Sequence, residues 1–105
     1  MKILYGLTSL LLLGLAAPVL ADDVTVTVGH SRLEPAEVIV TPGDTVTWKN
    51  VDKMPGGHSV VADDGSFASP GLDKDEKWSH TFEQPGRFSY HIGEHPDAKG
   101  KVTVE

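Results

Sequence analysis

The sequence predicts an all-β protein, a single Greek-key β-sandwich of about seven to eight strands. Three observations point there. Apolar residues recur with a period of two, turn signals separate the apolar runs at strand-to-strand intervals, and no segment carries a helical stripe of period 3.6.

The first element lies outside that fold. Lys2 precedes an apolar run, "ILYGLTSLLLLGLAA", which leads into "APVLADD" and puts the small residues Val19 and Ala21 at positions −3 and −1 of a cut after Ala21. This is the pattern of a secretory signal peptide. The run of 15 residues falls short of the roughly 20 that cross a bilayer, and a chain without cysteine has no lipoprotein anchor. The expected organisation is therefore a signal peptide over 1–21 and one domain over 22–105, exported to a bacterial periplasm and not attached to the membrane after cleavage.

From Asp23 onward each strand follows from its alternation. "DVTVTV" sets Val24, Val26 and Val28 on one face against Thr25 and Thr27, and "TVTWK" sets Val46 and Trp48 against Thr45, Thr47 and Lys49. The same pattern returns in "KWSHTF", "RFSYHI" and "KVTVE", with shorter runs at "EVIV" and "HSVV". The punctuators "TPGD", "MPGG", "DDGS", "SPG" and "EQPG" stand between them, and "ASPGLDKDE" is the longest irregular stretch.

Composition narrows the function. A mature domain of about 84 residues has a thin core, and with no cysteine it cannot be stapled by disulfides, so a metal or a well-built sandwich must stabilise it. The formal charge of −6, about −7 once Lys2 is removed, is spread along the chain and leaves no basic footprint for nucleic acid. It reads as a solvated surface on a soluble monomer. There is no cysteine nucleophile, serine elbow or phosphate-cradling loop, so the chain is not expected to be an enzyme.

Five histidines, at 30, 58, 80, 91 and 95, are the residues able to carry chemistry. His58 follows the glycine-rich "MPGG" at the head of a strand, and His95 lies in the loop after the strand that ends at Ile92, so two loops bring imidazoles together at one end of the sandwich. His80 shares a face with Trp78 and Phe82 and reads as a partly buried structural histidine. His91 faces away from Ile92 and reads as a surface residue, and His30 is remote in sequence from the others.

Three stretches, "EVIVTPGDTVTWKNVDKMPGGHSV", "TFEQPGRFSYH" and "HPDAKGKVTVE", resemble the cupredoxins, most closely the amicyanin, plastocyanin and pseudoazurin group of small electron carriers. The resemblance covers nearly all of the mature chain. In that family copper is held by a histidine in an early loop and by cysteine, histidine and methionine near the C-terminus, with the thiolate giving the blue colour. By this resemblance His58 and His95 match the two histidines, while Ile92 stands at the cysteine position and Ala98 at the methionine position. Further donors to one Cu(II) per chain are then Glu94, the Gly57 backbone carbonyl and Met54, with His91 and Asp97 as weaker alternatives.

The resemblance therefore implies a periplasmic copper-binding protein with an altered, cysteine-less site, used in capture, buffering or delivery of copper. The alternatives are an electron-transfer protein of the plastocyanin and amicyanin type, and a metal-free interaction module on the same scaffold. The expected partners are the copper ion and a periplasmic redox or copper-trafficking protein.

Overall fold

The computed structural model describes residues 21–53 and 56–105. The expected signal segment therefore lies outside the described residues except at its last position, and so do Met54 and Pro55. Among the described residues the chain forms eight strands: β1 Asp23–Gly29, β2 Arg32–Glu34, β3 Glu37–Val40, β4 Asp44–Asn50, β5 Val60–Ala62, β6 Lys77–Phe82, β7 Gly86–Ile92 and β8 His95–Val104.

The strands make two four-stranded sheets, β2-β1-β4-β6 and β3-β8-β7-β5, and the all-β sandwich expected from the period-two pattern is present. Both sheets are mixed. β1 runs parallel to β4, with Val26 opposite Trp48 and Val28 opposite Asn50, and β3 runs parallel to β8. The alternation does its expected work: Val26, Val28, Val46 and Trp48 of one sheet are completely buried, and they meet Val60, Tyr90, Ile92 and Val102 of the other.

Two elements differ from the sequence reading. β2 is a three-residue strand around the buried Leu33, too short to carry a period, and it joins the sheet by pairing with β1 while Leu33 packs in the core. β8 begins at His95 rather than near Lys101, so the loop expected around His95 shrinks to the link Gly93–Glu94. The reason lies in the pairing: Ala98, Gly100, Val102 and Val104 all face inward along the ladder with β7, and glycine at 100 leaves room for the Tyr90 ring, which a side chain there would strike.

The core is aromatic at its centre. Trp48 lies 5.3 Å edge-on from Tyr90 and 5.7 Å from Trp78, and His80 stacks on Phe67 at 5.0 Å and on Trp78 at 5.8 Å. Burial among these rings disfavours the imidazolium and lowers the His80 pKa below histidine's ordinary range. The unfolded chain thus takes up this proton at a higher pH than the folded one. Stability from the neutral His80 is complete above the ordinary value of about 6.5 and is lost as pH falls towards and through the lowered folded value. Melting temperatures between pH 7.5 and 5 should therefore fall less steeply in His80→Phe, which keeps the stack and has no proton to take up. Parallel profiles for the two proteins would show that His80 is not a source of the slope.

Candidate metal centre

The paired glycines of "MPGG" position the first histidine. Gly56 and Gly57 both take left-handed backbone angles, φ 104° and 70°, which residues with a Cβ rarely adopt. A Cβ at Gly57 would also sit 3.1 Å from the Leu72 carbonyl oxygen. The glycine-rich stretch before His58 is thus a turn of defined shape. It delivers His58 into an antiparallel bridge with Leu72, in which the His58 N–H donates to the Leu72 carbonyl at 3.0 Å and the Leu72 N–H returns to His58 at 2.8 Å. His58 is 3% exposed.

His95 arrives from the other sheet as the first residue of β8, paired across the ladder with Ile92. The two rings do come together, with centroids 5.1 Å apart. Glu94 makes a different contact from the one expected of a donor. Its carboxylate accepts from the Ser59 backbone N–H at 2.6 Å and from the Ser59 hydroxyl at 3.1 and 3.2 Å. Partial burial works against its charge, but the Ser59 donors, its own backbone N–H and nearby His58 outweigh that and hold the carboxyl below its ordinary pKa. Glu94 is therefore a clip tying the β7–β8 link to Ser59, the residue after His58.

Asp52 organises the rest of the centre. One oxygen, Oδ2, lies 2.8 Å from His58 Nε2 and 3.2 Å from His30 Nδ1, and the carboxylate side chain is only 7% exposed. A carboxylate can only accept, so the ring nitrogens facing it carry the hydrogens, and in each neutral imidazole the other nitrogen keeps its lone pair. For His58 that other nitrogen, Nδ1, is fully buried and has no hydrogen-bond partner among the described residues. Among the described residues the other such atom is Trp48 Nε1, which belongs to the aromatic core.

Asn50 supports this arrangement from beneath. Completely buried at the end of β4, it donates from Nδ2 to the Leu72 carbonyl at 2.7 Å and accepts from the Asp52 N–H at 3.0 Å. It thereby joins the bridge that holds His58 to the loop that holds Asp52.

Sequence reading missed Asn50, Asp52 and His30. The last was set aside as remote in sequence, yet its ring lies 5.0 Å from that of His95, because the parallel pairing of β1 with β4 puts the turn after β1 beside the loop after β4. The other readings fare variously. His91 faces outward and bonds Asp63 at 2.7 Å, His80 lies in the aromatic stack, and Asp97 is exposed. Ile92 and Ala98 are core residues, 1% and 4% exposed, with no lone pair to offer. Met54 lies outside the described residues.

With this fold and these loops the chain belongs to the cupredoxin-like family: the family's domain model matches residues 3–104. It is 36% identical over 95 residues to the amicyanin of Paracoccus denitrificans, covering 86% of this chain and 71% of that protein. To the plastocyanin of Scenedesmus fuscus it is 32% identical over 100 residues, covering 79% of this chain and all of the other. Among solved structures it is similar to a purple cupredoxin from Nitrosopumilus maritimus, with a TM-score of 0.70 and 27% identity over 78% of this chain and 99% of that one. An amicyanin in which a methionine is replaced by alanine, in its Cu(I) form, gives a TM-score of 0.66 and 38% identity over 78% and 81% of the two chains.

Removing Asn50 tests how the centre is held. Asn50→Ala removes the second hydrogen bond to the Leu72 carbonyl and the side-chain acceptor of the Asp52 N–H, and losing these two buried hydrogen bonds should cost about 1–3 kcal/mol in urea unfolding. A loss under about 0.5 kcal/mol would show that Asn50 does not brace the site.

Proposed function

We propose that this cupredoxin-like chain is a periplasmic copper-binding protein, made with a signal peptide over 1–21, whose centre rests on His58 and His95 and takes no sulfur donor from the C-terminal strands. The observation that carries this reading is the state of His58. One ring nitrogen is fixed on a carboxylate while the other is buried and, among the described residues, unpartnered, and a buried nitrogen of that kind costs free energy unless something accepts its lone pair. A metal ion is such a partner, and the carboxylate–imidazole–metal sequence is a common way of orienting a ligand.

The donor set suits Cu(II) in tetragonal geometry better than a blue-copper centre. Hydrocarbon side chains stand where the family's resemblance would put cysteine and methionine, and Glu94 is engaged with Ser59. Water, the Gly57 carbonyl and Met54 are left as the further donors. Open positions favour ligand exchange, so the chain's use is capture, buffering or delivery of copper rather than catalysis, with a periplasmic copper-trafficking protein as its partner. Electron transfer with a redox partner is a second reading, favoured by the likeness to amicyanin and plastocyanin. Loss of a methionine alone leaves an amicyanin able to hold Cu(I), but a chain without a thiolate lacks the strong covalent route for the electron.

Titrating the mature protein with Cu(II) while recording visible and electron paramagnetic resonance spectra tests the proposal. One equivalent should bind, giving a pale protein without an intense thiolate band, and His58→Ala and His95→Ala should each weaken binding by well over tenfold. Binding that is unchanged in both variants would remove the proposed centre. A copper exchange rate far slower than electron transfer to a redox partner would favour the second reading.

A further inference from the structure

We propose that His30 is a third imidazole donor of this centre, an outer ligand that turns onto copper held by His58 and His95 and closes the site towards solvent. The inference rests on the copper-binding reading above and adds to it a residue that neither the strand pattern nor the family resemblance assigns.

Three observations carry it. The first is spacing. Two imidazoles bound to one metal through nitrogens at about 2.0–2.1 Å have ring centroids about 4.5–5.2 Å apart for angles between square and tetrahedral. The pairs His58–His95 and His30–His95 stand at 5.1 and 5.0 Å.

The second is the state of the ring. His30 Nδ1 faces Asp52 Oδ2, so in the neutral ring its Nε2 keeps a lone pair, as Nδ1 does in His58, which faces the same carboxylate oxygen. A single carboxylate thus sets the tautomer of two imidazoles, each with one nitrogen left for a metal.

The third is freedom to move. Among the described residues no three of these side chains stand as an already converged cage. His58 is fixed by burial, whereas the His30 side chain is 62% exposed and has a 3.2 Å polar contact with Asp52. A change of rotamer on an exposed turn costs little, so His30 is the member of the group able to approach an ion that enters. Copper would then meet His30 first on the way in and lose it first on the way out, which suits a protein that captures and releases its cargo.

The test separates this role from that of the other two histidines. His30→Gln keeps an amide donor for Asp52 and removes the imidazole lone pair, and at an exposed turn it should leave the melting temperature unchanged. In a competition titration of Cu(II) against a chelator such as nitrilotriacetate, this variant should bind about tenfold more weakly or worse. Pulsed electron paramagnetic resonance should count three coordinated imidazoles in the wild type and two in the variant. Wild-type affinity with an unchanged count of two in His30→Gln overturns the role of His30, and if His58→Ala and His95→Ala still abolish binding, the two-histidine centre stands without it. A wild type that binds no Cu(II) overturns both.

Discussion

The contact on which the site depends is the 2.8 Å hydrogen bond between His58 Nε2 and Asp52. A buried imidazole has two nitrogens to satisfy, and this bond satisfies one while fixing the ring so that the other is left over. The surrounding features hold that bond in place. The left-handed Gly56–Gly57 turn and the Leu72 bridge set the backbone of His58, and Asn50 ties that bridge to the Asp52 loop. The Ser59–Glu94 clip then draws the β7–β8 link, and His95 with it, against the segment that follows His58.

The hydrophobic core and the site are continuous through these elements. β4 carries Val46 and Trp48 into the core and ends at Asn50, and β7 carries Tyr90 inward and ends at Ile92, paired with His95. A close-packed interior defines where the strand ends stand. Loops as short as Gly93–Glu94 have little freedom to relocate a side chain afterwards. Ile92 and Ala98 fit this view, because both buried side chains extend the core up to the histidines.

Much of this was legible in the sequence for a physical reason. Alternation along β1, β4, β6 and β7 reflects a sheet with one face in the core, so the strands and their inward faces follow from it. His58 and His95 could be found because each adjoins a strand end near turn residues. What escaped detection depends on pairing between distant strands. β2 is too short to show a period, the parallel β1–β4 register that brings His30 beside Asp52 leaves no local mark, and Glu94 reads as a solvated charge until Ser59 is placed beside it. Asn50 appears merely as the last residue of a strand, although it is completely buried and bonded at both ends of its amide.

The tautomer of His58 tests the central claim most directly. Long-range nitrogen–proton NMR correlations on the metal-free mature protein, repeated with one equivalent of diamagnetic Cu(I), read each ring nitrogen separately. The account predicts that His58 Nε2 carries the hydrogen and Nδ1 does not, and that Cu(I) shifts Nδ1 while Nε2 stays protonated on Asp52. A His58 protonated at Nδ1, or an Nδ1 resonance that Cu(I) leaves unmoved, would contradict it.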